Sequence, residues 1–263
     1  MDTTRLSRRK LSDQVVDRIK LWLMSKNIKP GDRLPQEKEL MDLLGVSRGT
    51  IREALKALEV QGLVSVATGR SGGAVVAEVS YQTAAGLLGN YFYFQRLQAA
   101  EIYDLRQLIE PEMAVTVVDK LTEADLLRLE RLIESCANVD DTPESRRRQR
   151  LEELEFHNVL AARSPNPLYS FTCRFINKVL ADQVVFKRMY VERQLKIDQE
   201  NHVAHSELLE AYRARDPDRV HRAMSRHMRE CSCHIAELEA IVETRFFSDS
   251  PLPDLLPMPE IIE

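Results

Sequence analysis

Apolar residues recur every three or four positions along the N-terminal part of the chain, which is the spacing of one face of an α-helix. The pattern predicts a first helix from Leu11 to Met24, a second from Gln36 to Leu44, and a third that opens at Ser47. Gly45 stops the second helix and leaves only a tight turn before the third. Two helices joined in this way predict a helix-turn-helix.

A short hairpin follows the third predicted helix. Residues 63–66 and 74–77 have the composition of two strands, and the segment between them is rich in glycine. This pattern predicts the wing of a winged helix. Arg70 at its tip is placed to enter a DNA minor groove, and Gly69 lets the backbone approach phosphate. A glycine-rich loop can also hold a nucleotide, but the chain has neither the dinucleotide fingerprint nor a P-loop lysine.

Cations flank the third predicted helix. Arg48, Arg52 and Lys56 follow one another at four-residue intervals beside the apolar stripe. Arg48, Gly49 and Thr50 occupy the first turn, the part of a recognition helix that reaches base edges in the major groove. The alternative is a basic face that contacts only solvent, which is common for three charges on an arbitrary helix. The adjacent wing favours DNA binding.

Beyond Val79 the apolar spacing is helical almost throughout, with Leu105, Leu108 and Ile109 as one example. The pattern predicts helices over residues 100–121, from 122 to about 133, 144–163, 168–194, a further one ending at 216, and a last one to about 244. The expected fold class is therefore mainly α. It consists of an N-terminal winged helix-turn-helix with a small β-hairpin wing, followed by an all-helical antiparallel bundle.

The same patterns divide the chain into four segments. Residues 1–79 form the winged domain, 80–99 a connecting helix, 100–245 the helical domain, and 246–263 a tail. Four of the 11 prolines lie in the last 13 residues, so the tail is expected to be irregular or disordered.

The charge is divided unevenly between the two predicted domains. Residues 1–79 hold 14 Lys and Arg against 10 Asp and Glu, while the remainder holds 23 against 31. The first domain is thus basic and the second acidic, although the whole chain has a net charge of only −4. This asymmetry suits a polyanionic partner for the first domain, although moderately basic modules that bind no nucleic acid are common.

Nothing in the sequence indicates secretion or membrane insertion. No stretch approaches the ~18 unbroken apolar residues of a membrane span. The segment from Met1 to Asp13 is polar and basic without an apolar core, so the expected location is the cytoplasm. Of four cysteines, Cys231 and Cys233 form a Cys-x-Cys, a spacing too short for the usual structural zinc knuckle, and reduced thiols are expected.

Three histidines lie on the apolar stripes of three different predicted helices: His157, His205 and His227. A single histidine in such a position is most often a hydrogen-bonded core residue. Three that converge, with Glu153 four residues before the first of them, predict a divalent transition-metal site. His202 is the chief rival ligand, and His221 and His234 look peripheral.

Residues 11–77 resemble the winged-helix domain of the GntR family of bacterial transcription regulators. The segments that carry the resemblance are Pro30-Gly31-Asp32-Arg33-Leu34-Pro35, Glu37-Lys38-Glu39-Leu40, Gly45-Val46-Ser47-Arg48, Arg52-Glu53-Ala54-Leu55, Leu58-Glu59 and Gly62-Leu63. The resemblance implies DNA contacts at Lys38, Ser47, Arg48, Thr50, Arg52 and Gly69. Lys38 stands where the family more often has arginine, so a phosphate contact is expected there rather than base reading.

The helical part resembles the FCD ligand-binding domain of the FadR subfamily. The matching segments are Tyr103-Asp104-Leu105-Arg106, Ile109-Glu110-Pro111, Phe156-His157, His205 with Leu208, Ala211 and Asp216, and Ala223-Met224 with His227. The resemblance implies a metal held by Glu153, His157, His205 and His227, with zinc as the first expectation and nickel or another divalent ion as alternatives. The family usually has aspartate at the position of Glu153. Arg106 is the expected effector contact, and an ion pair with Glu110 at i+4 is its alternative role.

The two resemblances together imply a ligand-responsive, dimeric transcription regulator, more often a repressor in this family than an activator. They imply an inverted-repeat operator in double-stranded DNA and a small carboxylic acid as effector, bound in a helical domain that also dimerises. A metal-dependent bundle enzyme is the competing class. A di-iron bundle needs paired Glu-x-x-His motifs, which the chain lacks, and a hydrolytic zinc site needs a general base, for which the sequence shows no clear candidate. A DNA-binding protein whose second domain only dimerises remains a further alternative.

Overall fold

The computed structural model describes residues 9–67, 73–95, 97–137, 140, 142–187 and 195–238. The chain divides into two compact units between Ala85 and Gly86, inside the connecting segment 80–99 that the sequence predicts. The described part is mainly helical with one two-stranded hairpin, so the predicted fold class is confirmed. The predicted wing tip, with Gly69 and Arg70, and the predicted tail 246–263 lie outside the described residues.

The first unit contains a helix-turn-helix and a hairpin. Its elements are α1 (Leu11–Ser25), α2 (Glu37–Leu44), α3 (Arg48–Val60), β1 (Val64–Ala67) and β2 (Gly73–Val76). The two strands are antiparallel. The segment before α2 pairs with β2 as well, because the Leu34 amide donates to the Ala74 carbonyl at 2.9 Å. The predicted element boundaries are within one or two residues of those observed.

Local sequence signals determine where the helices of this turn begin and end. Gly45 takes a left-handed conformation, φ 64°, at the end of α2, which a residue with a side chain adopts only with strain. Ser47 then caps α3, with its hydroxyl oxygen accepting from the Thr50 amide at 3.3 Å. These two residues set the tight angle between α2 and α3.

The core of the first unit is built from the apolar stripes that the sequence shows. Its buried members are Val15, Val16, Ile19, Leu23, Leu34, Leu40, Ile51, Ala54, Leu55, Leu58, Val64, Ala74 and Val76. The buried face of α3 therefore packs inward against α1, α2 and β1. The opposite face of α3 remains available to a partner.

The second unit is a bundle of long helices. They are α4 (Tyr81–Gln95), which spans the boundary between the units, then α5 (Ala99–Thr116), α6 (Glu123–Ala137), α7 (Pro143–Ala162), α8 (Pro167–Lys187), α9 (Leu195–Arg213) and α10 (Pro217–Leu238). The most extensive pairings are α5 with α10, α7 with α8, and α9 with α10. Met113, Phe156, Leu160, Leu208 and Met224 are among the fully buried core residues. Elements distant in sequence thus meet in one interior.

The first bundle helix ends earlier than its apolar pattern predicts. The pattern extends to Leu121, whereas α5 ends at Thr116 and a turn follows. The Arg215 guanidinium, almost a hundred residues away, donates to the carbonyls of Val118 and Leu121. A tertiary contact thus satisfies carbonyl groups that a longer helix would have bonded internally.

Candidate nucleic-acid interface and metal centre

The exposed face of α3 is basic. Arg48, Arg52 and Lys56 are exposed on it, whereas Ile51 and Leu58 on the opposite face are fully buried. The three cations follow the helix axis at intervals of one turn, beginning at the capped N-terminus. A face of this shape and charge suits insertion into a major groove.

The two arginines of α3 share one carboxylate in the free protein. Glu37 of α2 lies 3.7 Å from Arg48 Nε and 3.8 Å from Arg52 Nε. All three side chains are substantially exposed, and an exposed ion pair of this kind contributes little to stability. The two arginines can therefore exchange Glu37 for a DNA phosphate or base as their partner at little cost in free energy.

Three of the predicted DNA-contacting residues, Lys38, Arg48 and Arg52, line one concave surface of the first unit. Its lining includes Lys38 of α2, Arg48, Arg52 and Lys56 of α3, and Gly73 of the hairpin. Ser47, Gly49 and Thr50 are not part of its lining; Ser47 and Gly49 are exposed, and Thr50 is half-buried. The individual DNA contacts stay predictions.

Three buried histidines converge in the second unit. His157 on α7, His205 on α9 and His227 on α10 are between 2 and 4% exposed. Their Nε2 atoms lie 3.3 Å apart for His157 and His205, 3.1 Å for His205 and His227, and 3.4 Å for His227 and His157. The Phe156 ring stacks on His205, with centroids 4.1 Å apart and an interplanar angle of 6°, and this packing orients the imidazole.

The spacing of these three nitrogen atoms suits one metal ion. A zinc–nitrogen bond of about 2.0–2.1 Å separates two ligands by ~3.4 Å in tetrahedral and ~2.9 Å in octahedral geometry. The observed separations of 3.1 to 3.4 Å lie within this interval. This buried triad can therefore hold a divalent metal ion and leave coordination positions open.

The protonation of the triad also favours a metal. Burial, the neighbouring histidines and the charge of Arg106 hold the pKa of both His205 and His227 well below the usual value. Both imidazoles are therefore neutral near pH 7 and offer a lone pair, which is the form that binds a metal.

Metal-free protein should lose stability as the pH falls below about 6.5. The unfolded chain takes up protons on both histidines there, while the folded chain resists because their pKa values are lowered. The expected slope is on the order of 1 kcal/mol per pH unit for each histidine. Unfolding midpoints of metal-free protein between pH 7.5 and 5.5 test this, and a midpoint that stays constant would contradict it.

A buried carboxylate lies behind the triad. Glu110 Oε2 is 2.6 Å from His157 Nδ1, although the contact is not aligned as a straight hydrogen bond. Glu110 Oε1 accepts from Arg106 Nε at 2.5 Å, and both side chains are fully or almost fully buried. The ion pair considered above as the alternative role of Arg106 is thus present, and Arg106 is at the same time close enough to the triad to influence His205 and His227.

The apolar pattern of the sequence does not indicate the part of Glu110 in the site. The apolar spacing of α5 directs attention to Leu105 and Leu108, but these side chains are 41% and 72% exposed. The buried face instead carries Tyr103, Arg106 and Glu110, which are also spaced by three and four residues. The sequence does contain a sign of this buried face, because Arg106 and Glu110 lie on a second stripe with helical spacing in the same segment.

Glu153 has other partners than the triad. Its carboxylate accepts from Arg150 Nη1 at 2.9 Å and Asn201 Nδ2 at 3.1 Å, and Arg150 Nη2 also donates to Asp198 at 2.6 Å. Burial raises the pKa of Glu153, and Arg150 opposes this effect. The group of ligand atoms close enough to share an ion, among the described residues, contains the three histidines without Glu153. Glu153 as a metal ligand stays a prediction.

The other three histidines lie outside the triad. His221 is exposed and lies 3.2 Å from Glu112, and His234 lies 3.0 Å from Glu200. His202, the predicted rival, is half-buried one turn before His205 and does not join the group of potential ligands. The four cysteines are free, as expected of reduced thiols.

A winged helix with a basic recognition face, in one chain with a helical domain that can hold a metal, defines a class of DNA-binding regulators. The model for the gntR family of bacterial regulatory proteins matches residues 11–73, and the FCD domain model matches residues 101–230. The chain belongs to the GntR family and has the GntR–FCD arrangement of FadR-like members.

Individual relatives agree with this assignment. The chain is 30% identical to the HTH-type transcriptional repressor NanR of Citrobacter rodentium, over 86% of each chain. It is 29% identical to the uncharacterized HTH-type transcriptional regulator YcbG of Bacillus subtilis, over 85% of this chain and 89% of that one. The solved structure of Streptococcus agalactiae GntR is 25% identical, with a TM-score of 0.56 over 85% of this chain and all of the other.

These relatives establish the general function. The chain is a DNA-binding transcription regulator and not an enzyme, because its family and the relatives named above are regulators. Among the described residues, none of the helices has the length and apolar character needed to span a membrane.

Proposed function

We propose that this regulator is a repressor whose operator affinity is controlled by a small carboxylic acid bound at a metal ion in the helical domain. The observation that carries the proposal is the convergence of three Nε2 atoms, 3.1 to 3.4 Å apart, in the interior of an FCD domain. The name of the NanR relatives, transcriptional repressor, supports repression rather than activation.

The metal is a divalent transition ion held by His157, His205 and His227, with zinc as the first candidate and nickel as the alternative. Three imidazole ligands suit borderline metals of this kind. Glu153 is the proposed fourth ligand, and its carboxylate would have to leave Arg150 and Asn201 to reach the ion. The positions that the protein leaves open accept a carboxylate, which explains the proposed class of effector.

Arg106 supplies the second contact for the effector carboxylate. Its Nε is engaged by Glu110, and the guanidinium has two further nitrogens with four N–H donors. Glu110 contacts both Arg106 and His157, so the guanidinium lies near the metal-binding histidines, and the proposed acid bridges the metal and the guanidinium. Tyr103, whose ring lies 5.0 Å from the Arg106 guanidinium carbon, packs against the same group.

The DNA-bound form is a homodimer on an inverted repeat. Two copies present two α3 helices, and a two-fold axis relates both the helices and the half-sites. Lys38, Ser47, Arg48, Gly49, Thr50 and Arg52, with Gly69 and Arg70 of the wing, are the proposed DNA contacts. The exposed leucines of α5, Leu105 and Leu108, support dimerisation by the helical domain.

An authentic effector should change operator affinity by about 5–150-fold, the usual range for coupled sites. Small acids are screened by thermal shift on the metal-loaded protein, and operator binding is then titrated with and without each hit. The response should disappear in Arg106→Ala and His205→Ala, and it should persist in His221→Ala, a matched surface-histidine control.

Reciprocity offers a second measurement, because operator DNA must change the effector affinity by the same factor. An inducer that acts undiminished on both site variants would refute the proposed contacts. Operator binding that stays identical with every acid in a broad set would favour a second domain that only dimerises.

A further inference from the structure

The outer nitrogen of His157 faces a carboxylate. His157 Nδ1 lies 2.6 Å from Glu110 Oε2, and the two side chains are 3% and 0% exposed. Two lone pairs held this close in a water-excluded interior repel strongly, so either the nitrogen or the oxygen must carry a proton. The bent geometry of the contact does not remove this requirement.

That proton belongs to the histidine. Arg106 Nε donates to the other oxygen of Glu110 at 2.5 Å, and although burial alone would raise the pKa of this carboxyl, the guanidinium charge holds it well below the usual range. Glu110 is therefore ionised, and Nδ1 carries the hydrogen. In this tautomer the lone pair of His157 is on Nε2, the atom that meets the other two histidines.

We propose that Glu110 is a positioning residue for the metal centre, which holds His157 in the Nδ1–H tautomer and aims its Nε2 at the ion. Arg106 keeps the carboxylate in place through the 2.5 Å contact from its Nε. A histidine that binds a metal commonly donates its other N–H to a carboxylate, which makes it a stronger ligand. The inference rests on the proposed metal function and assigns Glu110 a role that the sequence does not reveal.

The outer nitrogen of His227 has a weaker partner than that of His157. His227 Nδ1 has the Cys231 thiol at 3.7 Å, and burial raises the pKa of that thiol to about 12, so it stays neutral. A thiol is a weak hydrogen-bond partner. Among the described residues, His157 is the triad histidine whose outer nitrogen lies beside a buried carboxylate.

The test compares two glutamates of the same helix in the full-length protein. Glu110→Gln removes the negative charge behind His157. Glu112→Gln is the control, because Glu112 is exposed on α5 and also faces a histidine, His221, at 3.2 Å. Zinc affinity is measured by competition with a chromophoric chelator, and the tautomer of His157 by nitrogen-15 NMR of histidine-labelled, metal-free protein.

The expected result is a 10–100-fold loss of zinc affinity in Glu110→Gln, the usual effect of removing a carboxylate behind a ligating histidine. The Nδ1–H tautomer of His157 should also lose its dominance. Glu112→Gln should match the wild type in both measurements.

A second variant covers the case in which Glu110→Gln fails to fold, since it leaves Arg106 buried without its charged partner. Arg106→Met combined with Glu110→Leu replaces the pair by apolar side chains, a change that folded proteins often tolerate. Its zinc affinity should fall at least as far as in Glu110→Gln, because leucine offers His157 neither the charge nor an acceptor.

The outcomes separate this inference from the proposed function. If wild-type protein binds zinc tightly and a folded Glu110 variant binds it equally well with the same tautomer, Glu110 has no positioning role, while the metal site stands. If wild-type protein binds no divalent ion, the proposed function is wrong and the positioning role is wrong with it.

Discussion

Replacing His205 with alanine should reduce zinc affinity by well over 100-fold, more than the loss of a residue that only supports a ligand. His205 is central to the triad, since its Nε2 lies 3.1 Å from that of His227 and 3.3 Å from that of His157. Two imidazoles remain in the variant, and the proposed further ligand, Glu153, would have to leave Arg150 and Asn201 to reach the ion, so the remaining set should hold zinc weakly. Elemental analysis of purified protein and chelator competition measure the effect.

The loss of the metal should also appear in protein stability. An ion that binds only the folded state stabilises it by about 2.7 kcal/mol when its concentration is a hundred times the dissociation constant. Added zinc should therefore raise the unfolding midpoint of wild-type protein and leave that of His205→Ala unchanged.

His221→Ala is the matched control, because it removes an exposed histidine from the same domain. It should retain both the metal and the thermal response. Purified wild-type protein without metal, and without stabilisation by added zinc or nickel, would show that the three histidines are only core residues.

Alanine at Arg48 or Arg52 should each cost about 1–3 kcal/mol of specific operator binding, the typical contribution of an arginine that reads a base. Both side chains are exposed on α3, and their partner in the free protein is the weakly held Glu37. Their replacement should therefore affect DNA binding far more than folding. Titrations of operator and of unrelated duplex DNA separate lost specificity from lost affinity.

Lys38 should behave differently from the two arginines. As a phosphate contact, Lys38 contributes charge but does not read bases, so Lys38→Ala should weaken binding to all sequences alike. The slope of log affinity against log salt concentration should become shallower by about 1. Arg128→Ala in the helical domain removes another exposed cation far along the chain, next to Glu155, and should change neither property. Full affinity and selectivity in Arg48→Ala would refute the proposed docking of α3.

The order and type of the elements, and much of the site, follow from the sequence. Helical periodicity is a local property, because each backbone hydrogen bond spans four residues and each apolar stripe repeats with the same turn. Ser47 and Gly45 act over equally short distances as the start of α3 and the stop of α2. The three triad histidines were recognisable because each interrupts an apolar stripe, where a polar ring requires a partner.

Only the tertiary structure decided which face of α5 is buried. Both faces have helical spacing, and the face with Arg106 and Glu110 is inside, while Leu108 is largely exposed. A buried charge is stable only beside a partner, and the partner of Glu110 besides Arg106 is His157, which comes from α7. Periodicity along one helix contains no information about the polarity of the helix packed against it.

The same reason applies to Glu153 and to the end of α5. Glu153 has a carboxylate suitable for a metal, but its contacts come from Arg150 on its own helix and from Asn201 on α9. The carbonyl groups that follow α5 are satisfied by Arg215, which lies far along the chain. The sequence by itself determined the helices, the recognition face and the histidines that meet. The tertiary structure decided which ionic groups are buried together, because their free energy depends on partners that no local pattern specifies.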